Sequence, residues 1–196
     1  MTSDPFTYHF IPPRLRDLDA ETGDLLAISL FEEDRPPPGL TGLVDWRIDG
    51  LISHIRAITL RPDMANPHYR GLALGPFQAA ENEKLLFPGG NHLHFGKVLV
   101  LGLGSRKTYS NQKYRNAVTA LLQAAVSMKA ETLALQLPGW LTAGVPARRA
   151  CDIFITELAS MRRRGLILPR QLCFVEHLDY QGEMDERVIE FLDGKG

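Results

Sequence analysis

Lys97 to Pro146 constrains this chain more than any other stretch. Val98-Leu99-Val100-Leu101 is an unbroken apolar run with β-branched residues, bounded by Gly102, the pattern of a strand buried on both faces. Past a polar loop, Tyr114, Ala117, Val118, Leu121, Leu122, Ala125, Val126 and Met128 recur at helical spacing. That spacing predicts an amphipathic helix with one face packed on a sheet. Leu133-Ala134-Leu135, closed by Pro138-Gly139, reads as a second short strand. Strand, helix and strand in this order form a βαβ unit, with parallel strands and a right-handed crossover.

The flanking sequence adds strands and helices to that unit. Thr7 to Ile11 alternates and stops at Pro12-Pro13, as an edge strand does, and Leu15 to Gly23 reads as a polar loop. Leu25 to Phe31 is a second buried strand, followed by a charged, proline-rich loop from Glu32 to Gly39. Thr41 is placed to cap a helix carrying Leu43, Val44, Trp46 and Ile48; Gly50 interrupts it, and Leu51, Ile52, Ile55 and Ile58 continue its apolar face. Arg61 to Pro76 reads as irregular. Glu83 to Phe87 is a strand joined through Pro88-Gly89-Gly90-Asn91 to the strand at Lys97. Pro146 opens a helix bearing Ala150, Cys151, Phe154, Ile155 and Leu158, which ends at Arg162 to Gly165. Gln171 to Val175 is the last strand, and Met184, Val188, Phe191 and Leu192 mark a final helix with Glu183, Asp185 and Glu186 at its start. The expectation is one domain over residues 1–196: a three-layer α/β/α sandwich with a mostly parallel or mixed central sheet.

Composition excludes several classes of function. A net charge of −1 gives no basic imbalance toward nucleic acid or an anionic membrane. No apolar run approaches the ~20 residues that span a bilayer, and no secretory h-region follows Met1. Two cysteines, Cys151 and Cys173, are too few for a disulfide framework, so a cytoplasmic location is expected.

Four segments together carry a family resemblance: Asp24 to Ile28, Leu43-Val44-Asp45-Trp46-Arg47-Ile48-Asp49-Gly50-Leu51-Ile52-Ser53, Glu83 to Leu86, and Val98 to Gly104. In order and spacing they resemble the N-terminal domain of the leucyl (cytosol) aminopeptidase family, over roughly residues 24 to 160. The resemblance implies a macro-domain-like α/β/α fold. It also implies that peptide hydrolysis, which this family performs with two metals on a separate C-terminal domain, has no counterpart here. The family's metal motif, NTDAEGR, does not occur, and the chain ends at Gly196. No metal, cofactor or catalytic residue is expected.

Two loops are candidates for ligand contact. Gly102-Leu103-Gly104-Ser105-Arg106-Lys107 leaves a strand and enters a helix, the context of a phosphate-binding fingerprint, but Lys107 stands where a dinucleotide site needs its third glycine. A tight exit from a buried strand explains the glycines equally. Leu135 to Ala147 looks like the macro-domain segment in which a glycine-containing loop cradles the diphosphate of ADP-ribose, and helix N-termini favour anions. A ligand would sit at the C-terminal ends of neighbouring parallel strands and meet Gly102, Gly104, Ser105, Trp140, Thr142, Gly144 and Val145, with Trp140 as a stacking face and Thr142 as a donor. Against it stand Glu32-Glu33-Asp34 and Pro36-Pro37-Pro38, where the macro-domain pattern has asparagines and a glycine-rich loop. Carboxylates repel phosphate and prolines remove backbone donors.

Other residues read as structural. His92 and His94 lack a third metal ligand, Cys151 falls on an apolar stripe, and Arg148, Arg149 and Arg162 to Arg164 suit a solvated face or salt bridges. Two functional readings follow. One is a non-catalytic stand-alone relative of the aminopeptidase N-terminal domain, acting in association or regulation as a homo-oligomer or with a protein partner. The other is a macro-like module for ADP-ribose, a nucleotide or another small phosphate ligand.

Overall fold

The computed structural model describes residues 6–60 and 76–194, of which 58–60 by backbone alone. In chain order these form β1 (Thr7–Ile11), α1 (Leu15–Ala20), β2 (Gly23–Leu30), α2 (Gly39–Arg47), α3 (Leu51–Leu60), β3 (Lys84–Pro88), β4 (Phe95–Gly102), α4 (Asn111–Ser127), β5 (Thr132–Leu135), α5 (Ala147–Arg163), β6 (Gln171–Val175) and α6 (Leu178–Leu192). The strands make one sheet in the order β1-β6-β5-β2-β4-β3. All neighbours pair in parallel except β3 and β4, an antiparallel pair. The sheet is therefore mixed. Its antiparallel pair follows from the Pro88–Asn91 turn, which is too short for a parallel crossover.

Strand alternation divides the core into two layers. Leu25, Ala27, Leu99, Leu101, Leu133, Leu135, Leu172 and Phe174 face α4, α5 and α6. Leu26, Ile28, Leu30, Val98, Val100, Ala134 and Val175 face α1, α2 and α3, through Leu18, Val44 and Ile52. Val98 to Leu101 are at most 1% exposed, so β4 lies deep in the sheet, as its unbroken apolar run predicts. Cys151 is fully buried on α5, with its thiol pushed up to about 12 by burial.

Four local expectations are corrected. Leu15–Ala20 is a helix rather than a loop; it is short, and its one buried residue, Leu18, leaves no apolar stripe to read. The cap of α2 is Pro38, while Thr41 lies inside the helix and donates its hydroxyl to the Ser29 carbonyl at 2.8 Å. Helix α6 begins at Leu178, five residues before Glu183. The strands that exit into the two candidate loops, β4 and β5, are not adjacent but flank β2. The stretch 61–75, expected to be irregular, lies outside the described residues. Among the described residues no helix is long and apolar enough to cross a membrane.

Candidate functional site

The C-terminal ends of β2, β4 and β5 meet on one edge of the sheet, where open α/β sheets place ligands. Three segments line it: the β2–α2 loop with Phe31 to Asp34, the loop after Gly102, and residues 136–146 before α5.

The glycine loop is bound by its own chain. Gly102 N–H donates to the Glu83 carbonyl, Leu103 N–H to Leu30 and Gly104 N–H to Ala79, at 2.8–2.9 Å. At Gly102 an added Cβ would lie 2.2 Å from the Ala80 carbonyl oxygen, so glycine is required for backbone packing. Gly104 has φ +73°, which explains the second glycine without a ligand.

The next two donors face a carboxylate. Ser105 Oγ donates to Glu33 Oε1 at 2.6 Å, and the Arg106 backbone N–H donates to Glu33 Oε2 at 2.9 Å. These donors, the backbone N–H first, hold the exposed Glu33 carboxyl down to about 2. The Arg106 guanidinium then pairs with Asp34, donates to Thr142 Oγ1 at 3.0 Å and lies 4.3 Å from the centre of the Phe31 ring. Arg106 thus spans from the β2 loop to the loop before α5.

The acidic loop is itself fixed from below. Arg56, 2% exposed on α3, donates to the carbonyls of Phe31, Glu32 and Asp34 at 2.7–3.2 Å. Asp34 Oδ2 accepts from Phe31 N–H at 3.0 Å. The orientation of Glu33 and Asp34 therefore rests on a buried guanidinium.

The loop before α5 is closed internally. Ala143, Gly144 and Val145 donate their N–H groups to Gly139, Leu141 and Trp140. Trp140 is 3% exposed and meets Tyr180 edge-on at 4.9 Å, so it offers no open stacking face. Beneath it lies Glu176, 1% exposed, whose carboxylate accepts from Leu137 N–H at 3.1 Å and from the Trp140 indole. Burial lifts the Glu176 carboxyl to about 8, against the lowering pull of those donors. Tyr109 Oη donates to the Pro138 carbonyl at 2.8 Å.

Of the residues named from the sequence, the structure brings Ser105 and Thr142 together through Arg106 and Glu33. Gly102 and Gly104 lie in the backbone beneath, Trp140 and Val145 are buried, and Gly144 faces open space. Sequence reasoning missed Arg106 and Glu176. A signal for Arg106 existed: a cation directly after Gly104-Ser105, matched to a triple carboxylate after another strand. Elsewhere, Arg148 pairs with Glu190 at 2.5 Å, Arg149 with Asp152, and Arg164 with Glu157 at 3.4 Å, the salt bridges expected of that face. His92 and His94 are exposed in the turn before β4.

Comparison with known proteins now bears on this edge. Residues 68–160 match the model of the cytosol aminopeptidase family, N-terminal domain. Over those residues this chain is similar to that N-terminal domain. A probable cytosol aminopeptidase of Cyanothece sp. is 25% identical over 118 residues, covering 60% of this chain and 21% of that protein. The chain thus spans about a fifth of the curated relative it matches. A tomato leucine aminopeptidase variant superposes over 95% of this chain and 36% of its own, with a TM-score of 0.59 at 17% identity. A Trypanosoma brucei macrodomain in complex with ADP covers 93% of this chain and 69% of its own, with a TM-score of 0.66 at 14% identity. An Oceanobacillus iheyensis macrodomain with MES bound covers 92% and 90%, with a TM-score of 0.65 at 10% identity. At these identities the structural likeness establishes the macro-domain-like fold alone. The aminopeptidase N-terminal relationship and the α/β/α architecture read from the sequence agree with these matches.

Proposed function

We infer that this chain is a non-catalytic relative of the aminopeptidase N-terminal domain that works by protein association or regulation. The observation that carries the reading is the edge sealed by Glu33, Asp34 and Arg106. An anion entering between the loops must displace a carboxylate that already holds Ser105 Oγ and the Arg106 N–H. The Glu33 and Asp34 carboxylates at that point oppose a diphosphate. A protein surface is then the working part of the fold. On α6, Leu178, Ile189 and Leu192 expose 58%, 46% and 41% of their areas. Their spacings of 11 and 14 residues place them on one stripe. Singly, exposed leucines are ordinary; aligned on one helix face, they suit an association surface.

A second reading, a macro-like module for ADP-ribose, a nucleotide or another small phosphate ligand, is favoured by two observations. Similar folds were solved with ADP and with ADP-ribose, and the 44%-exposed Arg106 guanidinium stands at the same edge. Two measurements on the purified chain separate the readings. Sedimentation equilibrium should give a mass above 21.9 kDa that rises with concentration, and ADP-ribose should leave the melting temperature unchanged. A strictly monomeric chain stabilised by ADP-ribose reverses the ranking.

A further inference from the structure

A different group of residues converges at the opposite side of the sheet. Strands β1 and β6 pair in parallel with His9 opposite Cys173, which puts both side chains on the face covered by α1. Glu21, the residue that ends α1, closes the group from above. His9 Nε2 and Glu21 Oε2 are 2.7 Å apart, and the Cys173 thiol donates to the same carboxylate. The three ligand atoms all lie within 4.8 Å of one another.

We propose that His9, Glu21 and Cys173 hold one divalent transition-metal ion, with Zn²⁺ the best fit. Imidazole nitrogen, carboxylate oxygen and thiolate sulfur form the donor set of a borderline-soft ion. Tetrahedral Zn²⁺ with such ligands separates its donor atoms by about 3.4–3.6 Å, from bond lengths near 2.0–2.3 Å. The group is already close to that size. The His9–Glu21 pair must part by under about 1 Å, and Cys173 must draw in. Charge also matches: one carboxylate and one thiolate neutralise a dication, and the buried thiolate loses the cost of standing alone.

The surroundings suit an ion with three protein ligands and one open position. Cys173 is 5% exposed within the apolar layer against which Ile11 packs, giving an apolar floor. The His9 side chain is 54% exposed, so the fourth position faces water. Thr22 N–H donates to Glu21 Oε1 at 3.2 Å, which leaves Oε2 turned toward His9. On binding, the Cys173 S–H proton leaves to solvent, and the proton that His9 Nε2 donates to Glu21 is given up through solvent so that the neutral ring carries its one proton on Nδ1 and Nε2 ligates. The ion would clamp the edge strand β1 to β6 and to the end of α1.

The test uses the purified, metal-stripped full chain titrated with Co²⁺, a spectroscopic substitute for Zn²⁺. A cobalt–thiolate charge-transfer band should saturate at equimolar metal and be displaced by Zn²⁺. Cys173→Ala should abolish the band, while Cys151→Ala, at the buried core cysteine, leaves it intact. His9→Gln alters a half-exposed edge residue and remains informative if Cys173→Ala does not fold; it should weaken Zn²⁺ binding at least about tenfold. No band in the unmodified chain, a band that survives Cys173→Ala, or equal Zn²⁺ affinity with His9→Gln would each overturn the site.

Discussion

The two polar regions of this molecule differ in how their groups are satisfied. At the C-terminal edge of β2, β4 and β5, two carboxylates have their own protein donors: Glu33 has Ser105 and the Arg106 backbone, and Asp34 has Phe31 and the Arg106 side chain. At the β1–β6 edge, one carboxylate serves both His9 and Cys173. The first arrangement matches a loop pattern associated with ligands and yet has consumed its donors internally. The second has no motif and gathers three ligand types around one point. A binding site is defined by groups whose partners are under-supplied, and glycine spacing alone does not report that supply.

The comparison breaks most severely if the support under the first region fails. Val100 lies on β4, fully buried, just before the glycine loop. Val100→Asp buries an unpaired carboxylate and should cost several kcal/mol, enough to abolish cooperative unfolding. A soluble variant with an unchanged melting midpoint would show that β4 does not anchor the edge.

Arg56→Ala comes next in size. It strands the Phe31, Glu32 and Asp34 carbonyls that Arg56 now satisfies. Loss of a buried, charge-assisted network costs about 2–4 kcal/mol. Hydrogen exchange should quicken across the β2–α2 loop and leave β1 and β6 protected. Equal loss of protection at both edges would mean that the two regions are not independent.

A smaller effect is read through pH. In the folded chain the Glu176 carboxyl is lifted to about 8 from an ordinary 4.5. Between those values the unfolded chain has released a proton that the folded chain keeps, so stability falls as pH rises through the window and levels above it. Glu176→Gln should flatten that slope in thermal melts. A slope of unchanged steepness would indicate that the floor under Trp140 does not titrate there.

These regions were unequally legible in the sequence. Strands such as Val98–Leu101 and Leu25–Leu30 declare themselves because burial on both faces forbids polar residues. The start of α6 hid because Leu178 and Asp179 are exposed and its inward contacts come from Tyr180 against Trp140 and from Gln181 to the Glu176 carbonyl, while the regular apolar pattern begins only at Met184. The carboxylates Glu32 to Asp34 were recognisable as hostile to phosphate. Their partner Arg106 was visible as a nearby charge but not as a bridge, because bridging depends on β4 and β5 flanking β2. The His9–Glu21–Cys173 group was not legible at all. His9 and Cys173 are 164 residues apart and meet only through the β1–β6 register.

The most direct test of the account is an ADP-ribose titration of isotope-labelled full chain, followed by backbone amide shifts. With the Ser105 and Arg106 donors held by Glu33, the amides of residues 32–39 and 140–145 should stay unmoved up to millimolar ligand. Saturable shifts centred on those two segments would contradict it.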